Sequence, residues 1–273
     1  TLRQVFVSSA QPYAPTAQRT FSRPFVVGTL LCICCAMLWR WSLELPLPFY
    51  DLYPLYYGGK AWLQTGTAYE LRSVVPADHI PYTVFQIGNS YPLPAVLLLL
   101  PLTVFPPHIA ATLWIGILVA GILIGLRLCR APLWLVAYVP LLEAIRIEQY
   151  TALILIFQLV ALWALQTRRL GLLAVCNALI LTKPSHGLLF VVIMLFLARN
   201  WRQQVIAMLV IWGGSLLVDF RWPYDWIQAL QTYIHVAAWP TFWALALMAI
   251  PLVLTKDYLS SAVVLQCALA PYP

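Results

Sequence analysis

Long apolar runs alternate with single charges, charge pairs and prolines along almost the whole chain. The runs cover residues 25–45, 92–105, 109–126, 131–146, 150–166, 170–183, 186–198, 204–219, 236–254 and 258–270. A helix that spans a bilayer needs about 20 apolar residues, with about 17 as the lower limit, so several runs must borrow flanking residues. The pattern predicts an all-α, polytopic transmembrane helix bundle.

The run at 92–105 differs from the others because it contains Pro92, Pro94 and Pro101 and is followed by two further prolines. Proline-broken helices are tolerated at membrane depth where they are buried in protein or line a cavity. We therefore interpret 92–105 as a re-entrant or interfacial segment. The remaining runs predict about nine spanning helices.

Arginine pairs decide between this topology and one in which 92–105 spans the membrane. They are Arg127/Arg130, Arg168/Arg169 and Arg199/Arg202. With a cytoplasmic N-terminus, a spanning 92–105 segment would put all three pairs outside, against the positive-inside rule. A segment that does not span puts them inside and places eight of the nine acidic residues outside, leaving only Asp257 inside. We prefer this second topology.

Composition supports a membrane protein, since 62% of the residues are hydrophobic and 9% charged, whereas a soluble domain has about 25% charged residues. The net charge of +7 comes from bases scattered between apolar runs, so it indicates topology and predicts no nucleic-acid partner. We expect a basic cytoplasmic leader at 1–24 and a single transmembrane domain at 25–273. Within it, 46–91 would form the first outer loop, with short interfacial helices. The cysteines suggest neither disulfides nor a metal site.

Polar residues at the outer helix ends are the candidates for chemistry. Asp51 precedes a predicted interfacial helix that begins near Pro54 and ends at Gly66. It either caps that helix or acts as a base, and the sequence leaves both open. Further candidates at these ends are Lys60, Arg146, Glu148, Lys183, His186 and Arg221. Charges near a bilayer are costly, so their convergence on one face favours a site there.

Two interpretations fit these charges. A carboxylate at Asp51 could activate an acceptor hydroxyl while Lys183, Arg146 and Arg221 hold a phosphate leaving group. Alternatively, the charges form structural pairs in a transporter or scaffold. The chain has no phosphate-binding glycine loop, no zinc motif and no Gly-x-Ser-x-Gly, and we expect no cofactor and no metal.

The order of several short motifs resembles the polyprenyl-phosphate-sugar-dependent glycosyltransferases of the C-type membrane fold, which include bacterial lipoglycan mannosyltransferases. The motifs are Asp51-x-Tyr53-x-x-Tyr56-Tyr57-x-Gly-x-Ala61-x-Leu63-x-x-Gly66, Tyr91-Pro92, Pro106-Pro107-x-x-Ala110-Ala111-x-Leu113-Trp114, Gln149, Arg168-Arg169, Lys183-Pro184 and Arg199-Asn-Trp-Arg202. The resemblance covers roughly residues 25–273. Two motifs depart from the usual pattern: Glu148-Gln149-Tyr150-Thr151 stands where members often have Gly-Gln-x-Asn, and Tyr91-Pro92-Leu93-Pro94 replaces Tyr-Pro-Pro-Leu.

The resemblance implies that a mannose-like sugar moves from a polyprenyl phosphate to an acceptor hydroxyl on the outer face of a bacterial plasma (inner) membrane. Asp51 would be the catalytic base. Substrate binding would fall to Lys183, Arg146, Arg221, Glu148, Gln149, Tyr53, Tyr57, Lys60 and His186. Membrane lipids and the lipid-linked donor are the expected partners. The departures favour the alternative, a non-catalytic subunit derived from this family and bound to other membrane subunits. A transporter would show repeated halves, and none is found.

Overall fold

The computed structural model describes residues 52–74, 89–131, 144–145 and 148–236, together with Gly28. Regular structure in these ranges is helical throughout, which confirms the all-α class. The helices are α1 (Leu52–Thr65), α2 (Leu93–Leu99), α3 (Pro107–Leu128), α4 (Tyr150–Gln166), α5 (Leu170–Ile180), α6 (Pro184–Ala198), α7 (Trp201–Val218) and α8 (Trp222–Val236). Short 3₁₀ turns occupy Leu71–Ser73 and Leu100–Val104.

Two described helices, Pro107–Leu128 and Trp201–Val218, are long and apolar enough to cross a membrane. Four shorter apolar helices accompany them, at Leu93–Val104, Tyr150–Gln166, Leu170–Ile180 and Pro184–Ala198. The count of nine spanning helices stays a prediction. The leader at 1–24 and the run at 258–270 lie outside the described residues.

Helices α3 and α4 pack side by side and run parallel. The indole N–H of Trp114 donates to the carbonyl of Glu148 at 3.0 Å, just before α4 begins. About two and three turns further on, Gly121 lies against Ile156 and Gly125 against Leu159. The missing side chains of these glycines let the helices approach closely.

Hydrogen bonds between α5 and α7 show that this pair also runs parallel. The Asn177 amide donates to Gln204 Oε1 at 3.2 Å, and the Trp212 indole N–H donates to the Ala178 carbonyl at 3.0 Å. The Asn200 amide donates to the Leu170 carbonyl at 3.0 Å and joins the residue before α7 to the first residue of α5.

The helix directions place the three arginine pairs at one end of the bundle, which we call the arginine end. The opposite end contains Tyr91, Tyr150, Thr182 and Lys183, and we call it the lysine end. This arrangement agrees with the charge sorting of the preferred topology. Which end faces the cytoplasm remains an expectation from the positive-inside rule.

The segment 92–105 begins and ends at the lysine end. Before it, the Tyr91 ring meets the Tyr150 ring edge-on, with 5.2 Å between centroids. After it, α3 starts two turns ahead of Trp114, whose ring stacks with Tyr150 at 6.5 Å. This course agrees with the interpretation as a re-entrant or interfacial segment.

Four residues other than glycine adopt the left-handed conformation at helix ends. Arg130, Glu148, Arg168 and Arg199 have φ between 53° and 58°. At three of these turns the residue after the left-handed one donates its backbone N–H five residues back, as in a Schellman motif. The same turn geometry therefore closes helices at both ends of the bundle.

Helix α7 contains one wide turn. Residues Leu209–Gly213 form a π-helical turn between the α-helical parts Trp201–Met208 and Gly214–Val218. A π-turn inside an α-helix is rare and is often found at functional sites. Asp219 follows this helix directly.

Candidate functional site

Lys183 is the centre of the site at the lysine end. It precedes Pro184, the first residue of α6, where a proline is well suited because its missing N–H needs no partner. Its side chain is half-buried. The ammonium donates to the hydroxyl of Tyr91 at 3.3 Å and lies 5.4 Å from the centroid of the same ring.

Three hydrogen bonds hold Tyr91 in place under this lysine. Its backbone N–H donates to Asn89 Oδ1 at 3.1 Å, and its carbonyl accepts from the Tyr69 hydroxyl at 3.1 Å. The Asn89 amide donates to the Ala68 carbonyl at 3.1 Å, which ties the segment before α2 to the loop after α1. Lys183 therefore meets a rigid partner.

Below the lysine, α4 and α5 are joined by Tyr150. This fully buried residue shares a hydrogen bond of 2.8 Å with the hydroxyl of Thr182. Because Thr182 precedes Lys183, the bond fixes the backbone from which the lysine extends. The rings of Trp114, Tyr150 and Tyr91 thus support the site from the core side.

Acidic residues lie near Tyr69, namely Asp219 directly after α7 and Asp225 on α8. Burial raises the pKa of Tyr69, and the nearby charges of Asp225 and Asp219 raise it further. The pKa of Asp225 is itself raised, first by burial and then by Asp219, with Glu70 adding to the effect and Arg221 opposing it. The structure thus brings together the first outer loop and the patch around Asp219.

Arg221 is the basic residue beside these acidic residues. Its backbone N–H donates to Asp219 Oδ1 at 2.9 Å. Its guanidinium is exposed and lies 5.4 Å from the centroid of the Phe220 ring. Helix α8 is anchored at the lysine end by the Trp226 indole, which donates to the Ser90 carbonyl at 2.8 Å.

His186 is buried in the first turn of α6, 4% exposed. Its Nδ1 lies 2.9 Å from the hydroxyl of Ser185, and its carbonyl accepts from the Gln158 amide at 3.3 Å. Its Nε2 has no hydrogen-bond partner among the described residues. A buried polar atom left unpaired costs about 1–3 kcal/mol, so this nitrogen is suited to a ligand.

Glu148 and Gln149 lie at the start of α4. Glu148 is 1% exposed, and its carbonyl accepts the Trp114 indole. Gln149 is partly buried and immediately precedes the helix. Both therefore belong to the same end of the bundle as Lys183.

A second group of the predicted residues lies on α1. The rings of Tyr53 and Tyr57 are 4.5 Å apart. The Lys60 ammonium lies 4.9 Å from the Tyr56 ring centroid and 5.9 Å from that of Tyr57. The Tyr56 hydroxyl donates to the Phe105 carbonyl at 2.7 Å, so this group faces the end of the 92–105 segment.

Asp51 and Arg146 lie outside the described residues. Asp51 directly precedes Leu52, the first residue of α1. Their roles remain predictions.

The burial of Trp222 is a feature that the sequence does not indicate. From the sequence alone, Trp222, Trp226 and Trp239 are typical of the interfacial aromatic belt, and Trp239 lies outside the described residues. Trp222 is instead 3% exposed and packs between Trp212 and Trp226. The tertiary contact with α7 decides this burial, and no local pattern signals it.

Comparison with known proteins identifies the family. The model of glycosyltransferase family 87 matches residues 89–269 of the 273. The matched stretch contains Tyr91, Lys183, Asp219 and Asp225, whereas α1 precedes it. No curated protein and no solved structure matches the chain. The chain belongs to glycosyltransferase family 87, a family of membrane-bound glycosyltransferases.

Proposed function

We propose that the chain transfers a mannose-like hexose from a polyprenyl phosphate to an acceptor hydroxyl on the extracytoplasmic face of the bacterial plasma membrane. The observation that carries the proposal is the geometry at Lys183. A half-buried ammonium, fixed on Tyr91, lies at the end of the bundle opposite the arginine end, the same end at which Glu148 and Asp219 stand beside their helices. A phosphate leaving group needs a fixed cation, and an acceptor hydroxyl needs a carboxylate base.

Lys183 stabilises the departing lipid phosphate in this mechanism. The tyrosine contacts hold its ammonium before the donor arrives, so little reorganisation is needed as charge develops on the phosphate oxygen. His186 Nε2, buried in the next turn, is available as a neutral hydrogen-bond donor. The exposed Arg221 guanidinium and Arg146 supply further positive charge.

Asp51 acts as the base. It takes the proton of the acceptor hydroxyl, whose oxygen then attacks the anomeric carbon of the donor sugar. The bond between that carbon and the phosphate oxygen breaks, and its electron pair goes to the phosphate. Glu148, Gln149, Tyr53, Tyr57 and Lys60 line the path of the substrates.

The positive-inside rule gives the orientation. Five of the six residues at the arginine end are exposed, namely Arg130, Arg168, Arg169, Arg199 and Arg202. Placing them in the cytoplasm puts the lysine end outside and keeps the N-terminus inside. The polyprenyl tail then lies in the bilayer against the apolar helices.

The test is a transfer assay in membranes supplied with polyprenyl-phosphate mannose. Lys183→Ala should lower kcat/KM by about 10²–10³-fold, the loss that follows removal of a preorganised electrostatic contact. Asp51→Asn should lower it by about 10²–10⁴-fold, the contribution of a general base. Arg202→Ala removes an exposed cation at the arginine end and should change it less than about twofold.

Equal losses in Lys183→Ala and Arg202→Ala would contradict the site. Full activity in Asp51→Asn would contradict the assignment of the base. A wild type that transfers nothing from any polyprenyl donor, and that purifies in fixed stoichiometry with other membrane subunits, would be a structural subunit.

A further inference from the structure

Three tryptophans form a continuous row beside the acidic group. Trp212 lies on α7, and Trp222 and Trp226 lie on α8; we call them the tryptophan row. Ring centroids are 5.9 Å apart for Trp212 and Trp222 and 5.8 Å apart for Trp222 and Trp226, with tilted planes. The row extends from the Ala178 carbonyl of α5 to the Ser90 carbonyl beside Tyr91.

The two outer members of the row have paired indole N–H groups, but the central one differs. Trp222 Nε1 is buried without a hydrogen-bond partner among the described residues, although its neighbours each donate to a backbone carbonyl. Buried polar atoms are nearly always paired, and leaving one unpaired costs about 1–3 kcal/mol. Packing alone would be better served by phenylalanine.

A complementary acceptor lies three residues earlier in the chain. Asp219 Oδ2 is also buried without a hydrogen-bond partner, while its Oδ1 accepts the Arg221 backbone N–H at 2.9 Å. An unpaired hydrogen-bond donor, Trp222 Nε1, and an unpaired acceptor, Asp219 Oδ2, therefore occur together at the tryptophan row in the described part of the chain. Asp219 lies in the short connection between α7 and α8, and Trp222 is the first residue of α8.

The chemistry of these groups selects a class of ligand. Asp219, Asp225 and Glu70 disfavour an anion such as a phosphate. A simple cation would leave the indole N–H unpaired. A pyranose ring satisfies every feature, because its C–H face packs on aromatic rings and its hydroxyls both accept and donate hydrogen bonds.

We propose that the tryptophan row is a hexopyranose subsite, in which Trp222 Nε1 donates to one sugar hydroxyl and Asp219 Oδ2 accepts from another. The sugar packs on Trp226, which is partly exposed, and binding requires a shift of that ring because Trp222 is 3% exposed. The subsite deepens the proposed function and rests on it. The sugar is either the one transferred from the donor or the terminal residue of the acceptor.

The test is a tryptophan-fluorescence titration of the full chain in nanodiscs, with two separate probes. Methyl α-D-mannopyranoside represents an acceptor sugar, and a short-chain polyprenyl-phosphate mannose represents the donor. Trp222→Phe keeps a ring but removes the N–H, and Asp219→Asn keeps Oδ1 but replaces the second oxygen. Trp201→Phe, at an exposed position of the arginine end, is the matched control.

Loss of one hydrogen bond to the sugar should weaken binding about tenfold in Trp222→Phe and in Asp219→Asn, and leave Trp201→Phe unchanged. Weakening for the methyl glycoside assigns the subsite to the acceptor, and weakening for the donor alone assigns it to the transferred sugar. Asp219→Asn tests the subsite even where Trp222→Phe lowers the yield of folded protein.

Unchanged affinity for both probes in both variants would overturn the subsite, and so would a wild type that binds neither probe. Failure of the proposed transfer reaction would give a different result from failure of the subsite. Binding that depends on Trp222, in a protein that transfers nothing, supports the subsite and contradicts the transfer reaction. Transfer with KM unchanged in both variants supports the reaction and contradicts the subsite.

Discussion

Helices end in the same type of turn at the lysine end and at the arginine end, but the charged residues at the two ends differ in burial. Glu148 at one end and Arg130 and Arg168 at the other have left-handed φ values near 57°. Lys183 is half-buried and fixed on Tyr91, whereas Arg168 is exposed. Turn geometry is therefore common to the fold, and the fixed, partly buried charge marks the end suited to chemistry.

The cations of the arginine end also meet aromatic rings, but on the surface. The Arg169 guanidinium lies 4.7 Å from the Trp163 ring centroid, and that of Arg202 lies 5.6 Å from the ring of Trp201, a residue 63% exposed. Exposed cation–π contacts contribute only about 0.5–1 kcal/mol. These contacts therefore leave the guanidinium groups of Arg169 and Arg202 exposed.

The lysine end and the arginine end differ most in how closely their helices pack. A Cβ on Gly187, in the first turns of α6, would lie 2.6 Å from the Ile180 carbonyl oxygen, which cannot move without its helix. Gly187→Ala should lower the free energy of unfolding by about 1–3 kcal/mol. Gly171, near the arginine end, has nothing within 4 Å of such a Cβ. Gly171→Ala should be neutral or raise stability by up to about 1 kcal/mol.

Thermal unfolding in detergent compares these two variants. A Gly187→Ala protein as stable as Gly171→Ala would show that α5 and α6 are not tightly packed beside Lys183.

The shared turn allows a second comparison. A Cβ in the left-handed conformation costs about 1–2 kcal/mol, part of which is offset because glycine adds about 0.4–1 kcal/mol of entropy to the unfolded chain. Arg168→Gly and Glu148→Gly should therefore each gain up to about 1 kcal/mol from the backbone. Transfer should persist in Arg168→Gly and fall about tenfold or more in Glu148→Gly, because Glu148 lies at the lysine end, where we propose that the substrates bind.

Parallel measurements of melting temperature and kcat/KM decide this point. Equal transfer in the two variants would remove Glu148 from the site.

The smallest expected effect is on pH dependence. Burial and the charges of Asp219 and Glu70 raise the pKa of Asp225, so ionising this carboxyl is less favourable in the folded chain than in the unfolded chain. Its contribution to stability is present below the ordinary aspartate pKa and is lost as pH rises through the raised value. Relative to Asp225→Asn, the wild type should lose stability as pH rises from the ordinary aspartate pKa through the raised pKa of Asp225.

The effect should be small, because Asp225 is partly exposed and solvent screens its interactions. Melting temperatures across pH 3–7 at low and high salt measure it. Matching pH profiles for the wild type and Asp225→Asn would show that the acidic residues do not interact.

Charge sorting could be predicted from the sequence because the positive-inside rule acts on residues near helix ends, independently of packing. It placed Lys183, Glu148 and Asp219 at the end opposite the arginine pairs, and the helix directions agree. Prolines likewise indicated that 92–105 departs from a regular span. Asp51 and Arg146, which the sequence also selected, stay predictions.

Contacts between distant segments could not be predicted in the same way. Tyr91 and Lys183 are 92 residues apart, and Trp226 and Ser90 are 136 apart. Nothing in the local pattern of either partner specifies the other, since each stands at the edge of an apolar run. The burial of Trp222 depends on the same tertiary contacts.

The π-turn in α7 determines the direction in which the end of this helix points. An α-helix advances by about 100° per residue, so a turn that takes in one additional residue rotates everything after it by about that angle. Asp219 follows the turn at Leu209–Gly213 by six residues. The extra residue therefore rotates the second half of α7 relative to the first half. The first half keeps Gln204 beside Asn177 of α5, while the second half directs Asp219 toward Tyr69.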